Sequence, residues 1–268
     1  MPDAILEARR VSFAYRGTPV LEDISLDVRP GELLGITGIN GSGKTTLLKL
    51  LGGLLRPQCG EVALDGRGLH ALGRNAIARR ISLVPQDIPV ESSFTVRDIV
   101  AMGRNPYLGR FGQETRIDRQ AVEMAVSAAD IAGLEDRLLR ELSGGEQKRV
   151  FIARALAQET AIIMLDEPTA NLDLAHQLTL IELLSSLCRK GRAVVLSMHD
   201  LSFAATHCDR VLVLANNGVG SCGTPGEVIT PDNLARFFGV QAEVLHYGGC
   251  VSVVPLRQAR RSAFDKPV

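Results

Sequence analysis

The chain has no tryptophan, three tyrosines and eight phenylalanines in 268 residues, so aromatic residues make up only 4% of it. Its core must therefore rest on Leu, Ile, Val and Ala, within a sequence that is 46% hydrophobic and 22% charged, an ordinary globular balance. An excess of either charge is also missing, because 30 Lys and Arg offset 30 Asp and Glu. No nucleic-acid partner is expected on that ground, since counterion release needs clustered excess cations. No window approaches the roughly 18 uninterrupted apolar residues of a membrane span. The start, MPDAILEARRVSF, lacks the basic and long apolar regions of a signal peptide. Cys59, Cys188, Cys208, Cys222 and Cys250 are odd in number and scattered, with no two at metal-ligand spacing. Reduced thiols are expected, not a disulfide framework.

What is present reads as strands alternating with helices. Residues 5–15 and 20–28 alternate loosely around the turn Arg16-Gly17-Thr18-Pro19, which predicts an antiparallel hairpin. Glu32–Thr37 fits a buried strand, and KTTLLKLLGGLL after it predicts a helix ending near Arg56-Pro57. Further strands are expected at 61–65, 81–84, 161–166, 193–199 and 211–215, with the helix AHQLTLIELLSSLCRK before the fourth of these. Between Thr95 and Ala157 apolar residues recur every three or four positions, predicting a helical insertion. QAEVLHYGGCVSVVPL reads as a terminal strand pair, and RQARRSAFDKPV as a solvated tail. The pattern implies an α/β fold with a mostly parallel sheet covered on both faces.

Residues 38–45, GINGSGKT, match G-x-x-x-x-G-K-[ST] after a predicted strand and before a predicted helix. A random chain this long meets the four fixed positions about once in a hundred cases. The glycines let backbone N–H groups converge on β- and γ-phosphates, where the helix N-terminus adds a favourable field. Gly38, Ile39, Asn40, Gly41, Ser42, Gly43, Lys44, Thr45 and Thr46 are thus the candidate phosphate cradle. Lys44 supplies a point charge, and the Thr45 hydroxyl is a hard oxygen ligand for Mg²⁺.

AIIMLDEP sets Asp166 and Glu167 at the C-terminal end of an apolar strand, where ligands bind in open α/β sheets. Two acids there are costly unless a cation or water engages them. Asp166 fits as the acid holding Mg²⁺, and Glu167 as the group facing the attacking water. His199 ends a second apolar strand and either reaches the γ-phosphate or orients the water and Glu167. Gln86 follows ISLVP toward the same edge, where its amide oxygen can touch Mg²⁺ or the water.

LSGGEQKRV lies at 142–150, well after the phosphate loop and shortly before the DE strand. Taken in order, Tyr15, GINGSGKTT, VPQ, LSGGEQ, MLDEP, NLD and MHD resemble the ATP-binding cassette (ABC) family of ATPases over roughly residues 5–240. The resemblance implies a P-loop NTPase (RecA-like) core with an N-terminal antiparallel β subdomain and an inserted α-helical subdomain. One nucleotide-binding domain would then span 1–256, with the insertion at about 88–158 and a flexible tail at 257–268. Tyr15 would stack on adenine. Ser143, Gly144, Gly145 and Glu146 would open a helix whose N-terminus faces ATP held by the opposite subunit. The implied unit is a head-to-tail homodimer sandwiching two ATPs, with Asp173 at the interface beside Glu167.

FTVRDIVAMGRNPYLGRFG and DEPTANLDLAHQ further resemble the bacterial subgroup that takes up iron chelates, haem and cobalamin. That likeness implies a peripheral ATPase on the cytoplasmic face of the inner membrane, working with permease subunits and an external substrate-binding protein. Gln86 and Arg104–Tyr107 are the candidate permease contacts, against the simpler reading of a loop packed on its own subdomain. Ile39 stands where Pro is frequent in the subgroup, and Thr45 where Ser is frequent; neither removes a phosphate or Mg²⁺ ligand. Another transporter ATPase, an exporter included, is the alternative reading. A translation or repair ATPase fits less well, because the chain has one phosphate loop and no sustained heptads. A small-molecule kinase would leave LSGGEQ without a role.

Overall fold

The computed structural model describes residues 4–86, 93–108, 112–170, 172–248 and 250–259. Its strands, in chain order, are β1 (Leu6–Tyr15), β2 (Thr18–Val28), β3 (Leu33–Thr37), β4 (Cys59–Leu64), β5 (Arg67–Gly68) and β6 (Ile81–Val84). There follow β7 (Ile162–Asp166), β8 (Ala193–Ser197), β9 (Arg210–Ala215), β10 (Gly218–Gly223), β11 (Val240–Tyr247) and β12 (Cys250–Gln258). The main helices are α1 (Lys44–Leu51), α2 (Arg74–Ala78), α3 (Val96–Ala101), α4 (Arg116–Ala128), α5 (Gly144–Ala157), α6 (Leu174–Arg189) and α7 (Leu201–His207).

Strands β3, β7 and β8 are apolar almost without alternation because both their faces are covered. Along β8, Val194 and Leu196 face a core shared with α3–α7, while Ala193 and Val195 face a second core under the N-terminal strands and α1. The central sheet runs β10-β9-β3-β8-β7-β6, parallel except for the β9–β10 hairpin. An antiparallel sheet, β2-β1-β4-β5, forms the N-terminal subdomain. Because β3, β8, β7 and β6 are neighbours running the same way, their C-terminal ends place the phosphate loop, His199, Asp166-Glu167 and Gln86 along one edge.

Three expectations need correction. Helix α1 stops at Leu51, not near Arg56, because Gly53 adopts φ +70° and the Leu54 N–H donates back to the Lys49 carbonyl at 2.8 Å. Strand β12 carries on through Arg257 and Gln258, which therefore belong to the terminal hairpin and not to a tail. Arg104 does not face outward toward a permease, because its side chain is only 5% exposed. Its Nε donates to Asp118 Oδ1 at 2.9 Å, and Nη1 donates to the Ala157 carbonyl at 2.7 Å and Glu159 Oε2 at 2.8 Å. The Tyr107 ring covers the guanidinium at 4.1 Å, and its hydroxyl donates to the Gln158 carbonyl. Gly103 allows this approach, since a Cβ there would lie 2.3 Å from the Arg154 carbonyl oxygen. Hydrogen bonds from Thr115, with Arg104 adding its charge, hold the Asp118 carboxyl down at about 2. Arg104 and Tyr107 thus clamp onto the end of α5, while Asn105 is exposed and Pro106 half-buried. The other proposed permease contact, the stretch after Gln86, lies at 87–92, outside the described residues.

Candidate functional site

The phosphate loop lies between β3 and α1 and opens onto a cavity of about 780 Å³, within the usual range for small-molecule sites. Asn40 to Thr46 line it together with Val20, Gln86, Glu167 and His199. Gly43 caps α1 at φ +96°, and a Cβ there would press to 2.8 Å from Leu21, so the tight turn requires glycine. Lys44 Nζ donates to the carbonyls of Gly38 at 3.0 Å and Ile39 at 3.3 Å, which bends the ammonium back over the loop. Burial pushes its pKa below the ordinary lysine value, while the charges of Glu167 and Asp166 act the other way. The Ser42 hydroxyl is buried and has no hydrogen-bond partner among the described residues. A buried hydroxyl left so is uncommon and fits a polar ligand such as phosphate.

Glu167 is held at three points. Its Oε2 accepts from Gln86 Nε2 at 2.7 Å, its Oε1 lies 2.5 Å from His199 Nε2, and its N–H donates to Ser197 Oγ at 2.9 Å. Its backbone sits at φ +48°, a conformation uncommon for a non-glycine residue. Asp166, buried at the end of β7, accepts from Ser197 Oγ at 2.5 Å. It shares a hollow of about 150 Å³ with Thr45 and Gln86. A hydroxyl, a carboxylate and an amide oxygen make a hard donor set that suits Mg²⁺ alongside phosphate oxygens.

The remaining candidates lie elsewhere. Tyr15, at the end of β1, packs edge-on to Phe13 at 4.8 Å and does not line the large cavity, whereas Val20 of the facing strand does. Ser143 and Glu146 hydrogen-bond each other in a capping box at the start of α5, which holds the Glu146 carboxyl below its ordinary value. With Gly144 and Gly145 they stand outside the cavity lining. Asp173 caps α6, its Oδ1 accepting from the His176 N–H at 2.9 Å and lying 2.8 Å from His176 Nδ1. Asn171 of the NLD motif lies outside the described residues.

Three contributors, Ser197, Gln177 and Lys148, lie within or beside the quoted motifs without being singled out by them. Gln177 Nε2 donates to the carbonyls of Thr169 and Leu172, bracing the loop before Asp173. Lys148, on α5, reaches the Asp166 carbonyl at 3.4 Å. The available signals were weak: a lone hydroxyl at the end of an apolar strand, and a polar residue one turn into a helix.

A family model described as ABC transporter matches residues 21–170. The chain belongs to the ABC transporter family. It is an ATPase of the ABC type. The cobalamin import ATP-binding protein of Halobacterium salinarum is 42% identical over 98% of this chain, which spans 66% of that protein's length. The hemin import ATP-binding protein of Rhodococcus jostii is 41% identical over 95% of this chain and 87% of its own. Among solved structures, an ABC transporter of metal-chelate type in an inward-facing conformation aligns with a TM-score of 0.81 at 27% identity, covering 96% of this chain and 99% of the other. A dimeric bacterial ABC transporter cassette aligns with a TM-score of 0.74 at 28% identity, covering 82% and 98%. The P-loop NTPase fold with its antiparallel β subdomain follows both from the strand order and from these likenesses.

Proposed function

We propose that this ABC ATPase couples ATP binding and hydrolysis to import of an iron compound (ferric siderophore or haem) or cobalamin through a separate membrane permease. The observation that carries the import reading is the identity of about 40% to hemin and cobalamin import ATP-binding proteins over nearly the whole chain. A petrobactin import ATP-binding protein of Bacillus anthracis, 33% identical over 90% of the chain, supports a chelate as cargo. No helix among the described residues is long and apolar enough to cross a membrane. The proposed place of work is therefore the cytoplasmic face, docked on the permease, with an external binding protein delivering cargo. The fold is read as one nucleotide-binding domain with a helical subdomain inserted at about residues 88–158.

In the proposed reaction the loop amides, Lys44 and the Ser42 hydroxyl hold the β- and γ-phosphates of ATP. Thr45, Asp166 and Gln86 would hold Mg²⁺, which when bound neutralises charge on the phosphates. Glu167 draws a proton from the attacking water, and His199 and Gln86 fix the orientation of its carboxylate. The rest of the rate enhancement comes from positioning and electrostatics, as expected for phosphoryl transfer. Ser143–Gly145 lie outside their own chain's cavity, which supports a head-to-tail pair in which each α5 N-terminus completes the other copy's site, with Asp173 at the join.

The test is uptake of labelled ferric siderophore, haem and cobalamin by cells lacking this gene, complemented with the wild type or Glu167→Gln. The expected outcome is that one compound enters only with the wild type. Entry of all three without the gene overturns the import assignment.

A further inference from the structure

Strand β8 is aliphatic and buried from Ala193 to Leu196 and then ends on a serine that is fully buried. If packing alone mattered, a fifth aliphatic residue would suit that position and leave no polar atom to satisfy. The register pairs Ser197 with Asp166 on the neighbouring strand, so the hydroxyl lies beside the two consecutive acids. A hydroxyl has one proton and two acceptor lone pairs. The backbone N–H of Glu167 can only donate, at 2.9 Å, so it uses a lone pair. The Asp166 carboxylate oxygen accepts at 2.5 Å, so it takes the proton. The direction of both bonds is thereby set.

We infer that Ser197 is a positioning residue that sets the Asp166 carboxylate and the Glu167 backbone together, linking the metal-holding acid to the water-activating one. The inference rests on the roles proposed above for those two acids. Glu167 occupies a left-handed backbone conformation, and that conformation persists only where its surroundings hold it. Gln86 and His199 grip the far end of the side chain, and only Ser197 among these three grips the main chain. The same hydroxyl commits one Asp166 oxygen and so limits rotation of that carboxylate. Groups that orient a metal ligand from behind typically change metal affinity or activity by about 10- to 100-fold when removed.

The experiment compares Ser197→Ala, Ser197→Cys and Ser197→Thr with the wild type, with Asp166→Asn and Glu167→Gln beside them. The readouts are kcat, KM for ATP, thermal midpoint, and Mn²⁺ binding by electron paramagnetic resonance with a non-hydrolysable ATP analogue. Ser197→Ala and Ser197→Cys are expected to lower kcat and weaken Mn²⁺ binding by roughly 10- to 100-fold, with KM for ATP little changed. Ser197→Thr, which keeps the hydroxyl, is expected to recover most of both. Ser197→Cys, close in volume to serine, controls for a cavity. Wild-type kcat and Mn²⁺ binding in Ser197→Ala overturn the inference. So does a loss of kcat that follows the thermal midpoint while Mn²⁺ binding stays unchanged. If Glu167→Gln and Asp166→Asn themselves turn over ATP like the wild type, the underlying assignment of the acids fails, and that outcome is distinct from a failure confined to Ser197.

Discussion

Replacing Glu167 by Gln lowers ATP turnover by roughly 10²- to 10⁴-fold, the range for losing a positioned general base. The substitution keeps the size of the side chain and one of its two acceptor oxygens, and the backbone bond to Ser197 is untouched. The lost property is proton affinity: an amide cannot take the proton of the attacking water. ATP affinity should remain close to wild type, because the loop residues and Lys44 that line the cavity are unaltered. The check is steady-state phosphate release together with equilibrium nucleotide binding. Turnover within about tenfold of wild type would assign the base elsewhere, with His199 the first group to examine.

The second large effect concerns folding. Arg104→Ala leaves Asp118 buried without its cation, and breaking such a pair typically costs about 3–5 kcal/mol. Asp118 also accepts from Thr115 at the start of α4, so its charge persists after the arginine is gone. Arg104→Lys should not restore stability, because Nε and Nη1 serve Asp118 on one side and Ala157 and Glu159 on the other, and an ammonium lacks that planar fork. Denaturant unfolding measures both variants. The double substitution Arg104→Met with Asp118→Leu should be more stable than Arg104→Ala, since it leaves no lone buried charge. If Arg104→Ala costs less than about 1 kcal/mol, the pair behaves like a surface contact and the clamp is not structural.

These two cases differ in how far the sequence announces them. GINGSGKT, the Asp166-Glu167 pair and His199 are legible because each lies just past an apolar strand, and parallel order brings such strand ends to one edge. Arg104 is not legible in that way. An arginine is ordinarily exposed, and its partner Asp118 lies 14 residues away across a loop, so no local pattern joins them. Ser197 stays hidden for a related reason, since a serine ending an apolar strand reads as a terminator until its register opposite Asp166 is known. The length of α1 was obscured by apolar residues continuing past Gly52-Gly53, where the backbone turns left-handed and the helix stops. Tyr15 is legible as a candidate only by resemblance, and its ring packs against Phe13.

In the proposed head-to-tail pair, the ATP site becomes complete only when two copies of the chain meet. Ser143–Gly145 and Asp173 do not line the cavity that holds Lys44 and Glu167, which fits the proposed pairing in which a second chain brings them to it. The most direct measurement is light-scattering mass of purified Glu167→Gln at saturating ATP and Mg²⁺, with ADP as control. The expected result is twice the mass of one chain with ATP and a single-chain mass with ADP. A single-chain mass with ATP demonstrably bound would contradict the two-copy site.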